Sequence, residues 1–249
     1  MSETAPGDLS VVVHRDKTVL AQAVGARLCT AIADAQSRRG SAHVVLTGGS
    51  MGSALLAAIP GTGLLELVDW GAVDLWWGDE RYLPAGDPDR NETQNREALL
   101  DSLPLDPLRV HAIAGPDTSV DAAASATAYE LALRESGPDL FDVVLLGVGP
   151  DAHIASLFPH HVAQRQSEDA FAVLGSPKPP PTRVTMSFNR LGRAREVWFV
   201  AAGADKADAV CRALTPGVYR WDVPAAGVSG VSATRWLLDR EAAALVTPR

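Results

Sequence analysis

Cysteine is nearly absent from this chain of 249 residues, with Cys29 and Cys211 as the only two. They lie far apart and share no metal-like or redox spacing, which excludes a disulfide scaffold and predicts two reduced thiols packed on helices. Long apolar runs are also missing, and none approaches the roughly 20 residues needed to cross a bilayer. The opening MSETAPGDLS has neither the basic start nor the apolar stretch of a secretory leader. No membrane association is expected, and the cytoplasm is the expected compartment. Bases are in the minority: 22 Lys and Arg against 30 Asp and Glu give a formal charge of -8, with both signs interspersed. No extended basic face is available, so no nucleic-acid partner is expected. A small anion is not excluded, because a few local donors hold a phosphate whatever the global charge.

What is present is ordinary for a folded protein: 47% apolar and 21% charged residues, in a length that serves one large domain or two small ones. Apolar clusters of strand length alternate with longer stretches of helical period, which predicts an α/β protein with a largely parallel sheet. Strands are expected at residues 10–14, 43–46, 73–77, 141–146 and 196–201, and covering helices at 119–135 and 204–214. Asp16 is placed to cap a helix whose inward positions include Leu20, Val24, Leu28 and Ile32, with Gly40 as its stop. The one strong shift in composition is GSPKPPPT at 175–182. It is either an interdomain linker or a stiff surface loop, and the strand-like RVTMSF that follows at once favours the loop and a single domain over residues 1–249.

Four segments could carry chemistry. The strand at 43–46 runs into Thr47, Gly48, Gly49, Ser50, Met51, Gly52 and Ser53, with a helix expected to begin over 54–59. Such a turn lets backbone N–H groups approach an anion at a helix N-terminus, although glycine-rich turns are often merely tight. It is neither a dinucleotide fingerprint nor a Walker loop. The next strand ends in Trp77, Gly78, Asp79, Glu80 and Arg81, placing three charges past its carboxyl end, where ligands bind in open α/β sheets. Arg81 is suited to grip phosphate oxygens in pairs; the plainer alternative is a solvated turn in which it pairs with Asp79 or Glu80.

The third segment, Leu145 to Pro159, breaks a buried strand at a glycine-rich turn and presents Asp151 and His153 at the mouth of the sheet. A neutral imidazole there can take a proton from water, and a nearby carboxylate can orient it; the alternative is a capping Asp151 beside a half-buried histidine. Backbone N–H groups near 147–152 are candidate donors for an oxyanion. In the fourth, Gly203 to Asp208, Lys206 falls in a first helical turn, where a cation is out of place unless an anion is present or Asp205 or Asp208 pairs with it. His160 and His161 lack further ligands at zinc-like spacing and read as a surface pair, and no G-x-S-x-G elbow supports a serine nucleophile.

Together, LTGGS at 46–50, WWGDERYLP at 76–84, LLGVGPDAHIASLFP at 145–159 and AAGADKADAV at 201–210 resemble the 6-phosphogluconolactonase family. The resemblance implies a Rossmann-like α/β fold with helices on both faces of a mostly parallel sheet, of the deaminase/ribose-5-phosphate isomerase/CoA-transferase-like kind shared with glucosamine-6-phosphate deaminases. It implies hydrolysis of 6-phospho-D-glucono-1,5-lactone in the oxidative pentose phosphate pathway, without metal or organic cofactor. Carried over by position, His153 is the general base and Asp151 its companion, while Gly48, Gly49, Ser50, Arg81 and Lys206 hold the phosphate. Arg183 also resembles a family arginine, without a definite role. The sugar-phosphate lactone is the one expected partner, and the chain is expected to act as a monomer or weak homo-oligomer. Two positions depart from the pattern. Ala152 stands where the family usually has glycine, which strains the turn if that residue needs a positive φ, and Met51 and Gly52 replace the usual Thr-Pro. An aminosugar-phosphate deaminase resembles the same Asp-x-His turn, but its Asp-Glu-Tyr and His-Ile-Ala-Phe-Asn-Glu-Pro are here Asp-Glu-Arg and His-Ile-Ala-Ser-Leu-Phe-Pro. A phosphosugar sensor would carry a DNA-binding helix pair, for which no basic N-terminal segment is present.

Overall fold

The computed structural model describes residues 7–247. Strand β1 (Asp8–His14) leads through Asp16 into helix α1 (Lys17–Arg39). The Asp16 side chain accepts the Val19 N–H at 2.9 Å, and Gly40 ends the helix at φ 77°, a conformation that glycine adopts without a Cβ penalty. Leu20, Val24, Leu28 and Ile32 are buried along one stripe with Cys29, as their spacing predicts. Next come β2 (Ala42–Leu46), α2 (Gly49–Ala58), β3 (Val73–Trp77), β4 (Asp79–Arg81), α3 (Asn91–Ala98), β5 (Val110–His111) and α4 (Ala122–Glu135). The chain continues through β6 (Phe141–Gly147), β7 (Ala170–Val173), β8 (Arg183–Met186), α5 (Phe188–Gly192), β9 (Ala194–Ala201), α6 (Ala207–Ala213) and β10 (Ala233–Asp239).

Seven strands form a wholly parallel sheet in the order β1-β10-β9-β6-β2-β3-β5. All five residues of β3, and Phe141 through Leu146 of β6, are buried without alternation, so both faces of the sheet are covered. Trp76 and Trp77 are fully buried. The backbone of Trp77 finds its partner in the Tyr129 hydroxyl, which accepts its N–H at 3.0 Å and donates to its carbonyl at 2.9 Å.

Two local differences from the sequence reading bear on the site. DER at 79–81 is no solvated turn: it forms β4 of a separate antiparallel sheet, β4-β8-β7, with Asp79 and Glu80 buried. The Glu80 carboxylate accepts the backbone N–H groups of Arg81, Asn91 and Glu92 at 2.7–2.8 Å, so it caps α3 from another element. Helix α2 starts at Gly49, five residues earlier than expected: Gly49 takes φ 74° at its start, and Met51, Gly52, Leu55 and Leu56 are buried along it. The smaller differences are strand ends extended by one or two residues, a helix that begins at Ala122, and a last helix split into a 3-10 turn, Ala204–Lys206, followed by α6.

Candidate active site

The sheet order reverses between β6 and β2, since β2 continues outward to β3 while β6 continues the other way to β9. Open α/β sheets present their ligand crevice outside the carboxyl ends of strands at such a point. A cavity of about 310 Å³ opens there, lined by Thr47 to Met51 after β2, Gly147 to Pro150 after β6, and Val200 to Ala202 at the end of β9.

Gly48 is the N-cap of α2 and has no capping side chain, so the first N–H groups of the helix are left for the cavity that Gly49 and Ser50 line. The turn is fixed from behind: the Asn95 amide donates to the Thr47 carbonyl at 3.3 Å, and the Thr47 hydroxyl accepts the Gly147 N–H at 3.3 Å. Arg81, from β4, and Lys206, at the end of the 3-10 turn after β9, line the same cavity. The Arg81 guanidinium donates to the Asp89 carbonyl and forms no ion pair with Asp79 or Glu80. Lys206 does pair with Asp205 at 3.0 Å while facing the cavity.

Asp151 and His153 meet in the turn after β6. Nδ1 of His153 lies 2.5 Å from Oδ1 of Asp151, and the ring, not the carboxylate, lines the cavity. With Nδ1 engaged, Nε2 is the nitrogen left for a ligand. Burial alone would raise the Asp151 pKa, but the His153 hydrogen bond and the Lys178 charge outweigh it and hold the carboxyl well below the usual range. The Phe158 ring packs against the imidazole at 4.7 Å. Ala152 has φ 69° and is fully buried, so alanine occupies the left-handed conformation in this turn. Three of the N–H groups near 147–152 are already engaged, those of Gly147, Gly149 and Ala152.

The sequence reading missed Lys178. The loop at 175–182 folds against the site, and Lys178 and Pro179 line the cavity. A lone base inside a stiff proline run was the available signal. Arg183 enters the cavity wall from the first position of β8 and is only 4% exposed. His160 instead faces Asp222 at 3.5 Å, and His161 accepts the Ala163 N–H, both away from the cavity. Cys29 and Cys211 are free thiols on α1 and α6. Among the described residues no helix is long and apolar enough to cross a membrane.

A parallel α/β sheet with an imidazole–carboxylate pair and two cations around one crevice is suited to an enzyme acting on a small anionic substrate. A family model described as glucosamine-6-phosphate isomerases/6-phosphogluconolactonase matches residues 15–236, and the chain belongs to that family. It is 54% identical over 243 residues to a 6-phosphogluconolactonase of Streptomyces coelicolor, covering 94% of this chain and 93% of the relative. It is 36% identical over 257 residues to a human 6-phosphogluconolactonase, covering 99% and 96%. The solved 6-phosphogluconolactonase of Trypanosoma brucei superposes with a TM-score of 0.79 at 30% identity, over 98% of this chain and all of that one. These relatives place the chain with the lactonases of the family.

Proposed function

We propose that the chain hydrolyses 6-phospho-D-glucono-1,5-lactone to 6-phospho-D-gluconate in the oxidative pentose phosphate pathway, with His153 as the general base. The observation that carries this reading is the convergence of His153, Arg81, Lys206 and the Gly48 to Ser50 turn on one cavity, from four segments distant in sequence. The phosphate end of the substrate meets two cations and the amino end of α2. The lactone end then lies toward His153. A lactone is an activated ester, so no covalent intermediate with the protein is required. The imidazole Nε2 takes a proton from water as its oxygen bonds to C1, and the carbonyl oxygen becomes an oxyanion. When the C1–ring-oxygen bond breaks, the imidazolium returns the proton to the departing oxygen, and the product is the open-chain acid. Asp151 accepts the Nδ1 proton, holds the ring and stabilises its cationic form. Remote binding of the phosphate supplies orientation, and general base catalysis contributes roughly 10² to 10⁴ fold.

The reading extends to residues 1–249 as one catalytic domain, working in the cytoplasm as a monomer or weak homo-oligomer. The test is to generate the lactone in situ and follow its disappearance with wild-type protein, His153→Ala and no protein. The expected result is rapid loss with wild type and loss near the spontaneous rate with the variant, which still binds 6-phosphogluconate. Near-normal turnover by the variant overturns the base assignment.

A further inference from the structure

The proline-rich loop brings a third charge to the His153–Asp151 pair. Lys178 Nζ lies 3.3 Å from Oδ1 of Asp151 and 3.3 Å from Nδ1 of His153. A lysine side chain gives up much rotamer freedom in being held so. The backbone beneath it is correspondingly fastened. Ser176 Oγ donates to the Lys178 carbonyl at 2.9 Å and accepts its N–H at 3.3 Å, and the Ser176 N–H donates to the Pro181 carbonyl at 2.9 Å. From the other side, one buried guanidinium gathers three successive carbonyls: Arg183 donates to Lys178, Pro179 and Pro180 at 3.3, 2.8 and 3.1 Å. Its remaining side faces Ser156 Oγ at 3.5 Å and Asp79 at 3.8 Å, and it lies over the Phe158 ring that packs on His153. Consecutive prolines have no N–H to donate, so this stretch cannot be held through a strand ladder, and the arginine takes that role.

We propose that Lys178 is a positioning residue for the catalytic pair, and that Arg183 positions Lys178 through the carbonyls of the loop. This rests on the assignment of His153 as the base. The ammonium fixes the Asp151 carboxylate against Nδ1, and as a cation beside the ring it opposes protonation of the base before water attacks. The other charged groups around the ring are Asp151 in its own turn, Asp79 and Arg81 from β4, Arg183 from β8, and Lys206 after β9. Among the described residues, Lys178 is the only cation within hydrogen-bonding distance of the imidazole.

The test is the pH dependence of kcat/KM, above spontaneous hydrolysis, for wild type, Lys178→Met, Lys178→Arg and Arg183→Gln. Loss of a cation 3.3 Å from the ring is expected to move the acid limb of Lys178→Met to higher pH. Lys178→Arg is expected to keep the wild-type limb, and Arg183→Gln to move it in the same direction by less. A Lys178→Met profile that falls in height with its acid limb unmoved overturns the proposal and leaves Lys178 a purely structural role. The titration of the His153 ring followed by NMR gives a readout independent of turnover. An upward displacement in Lys178→Met supports the coupling, and none overturns it. A fully active His153→Ala would instead overturn the base role, and the ring titration would still decide whether Lys178 acts on His153.

Discussion

Gly149 and His153 share one space: a Cβ at residue 149 would overlap Nδ1 and Cε1 of the imidazole and crowd Oδ1 of Asp151. The backbone cannot withdraw, because the Gly149 N–H donates to the His153 carbonyl at 2.9 Å and its own carbonyl accepts the Ala152 N–H at 2.8 Å. Gly149→Ala is therefore expected to displace the ring. Steady-state kinetics should show kcat/KM lowered by the roughly 10² to 10⁴ fold that general base catalysis supplies, with much smaller effects on binding of the phosphorylated product. Retention of full activity would show that the ring can work from a displaced position.

Ala152→Gly tests whether the left-handed alanine is a burden. Removing the Cβ relieves about 1–2 kcal/mol of backbone strain at φ 69°. Against that stand about 0.4–1 kcal/mol from the more flexible unfolded chain and about 0.8 kcal/mol from the lost burial of a methyl group. The sum is near zero, so denaturant midpoints should differ by less than about 1 kcal/mol and turnover should be retained.

Lys206→Ala and Arg81→Ala remove one cation each from the cavity, at the end proposed to hold the phosphate. A charged hydrogen bond contributes about 1.5–3 kcal/mol, so each variant should lose roughly 10- to 150-fold in kcat/KM. The loss should appear mainly in KM, and inhibition by inorganic phosphate should weaken in parallel. A fall confined to kcat would place these residues at the reacting end instead.

Glu80 makes stability depend on pH in an unusual direction. Burial pushes its carboxyl up to about 7, against three backbone N–H donors and Arg90 that favour the charged form. The unfolded group titrates near 4.5, so between about 4.5 and 7 the folded state binds the extra proton. Its contribution is full below that window and declines as pH rises through it. Glu80→Gln turns one acceptor into a donor facing the Glu92 N–H and should destabilise by about 1–3 kcal/mol. Urea titrations across the window should show this deficit shrinking as pH rises; a deficit that grows would reverse the assignment.

The sequence made the large parallel sheet legible because its strands are short, apolar but for one residue each (His43, Asp74 and Asp142 at the second position), and bounded by glycine or charge, as β2, β3 and β6 show. It also singled out Asp151 and His153 as the carboxylate and imidazole of one glycine-rich turn, while leaving open whether Asp151 caps the turn or, as it does, meets the ring. The small sheet was hidden. β4 is three residues, two of them acidic, and its burial depends on α3, whose amino end supplies two of the N–H groups that Glu80 accepts. Lys178 was hidden for a similar reason. Its place beside residues 27 and 25 positions earlier follows from where Arg183 pulls the loop, and no local periodicity records that.

The strand order places β10 between β1 and β9. Among the described residues β1 is synthesised before every other strand, yet its only neighbour in the sheet is β10, the latest of them. Until then the backbone N–H and C=O groups of β1 have no ladder partner, and Leu9, Val11 and Val13 stay exposed on it even in the finished fold. Nascent chains lacking residues 233–239 should for that reason be a favoured target of chaperones and proteases, and shortening the C-terminal end should do more harm than its distance from the catalytic cavity suggests.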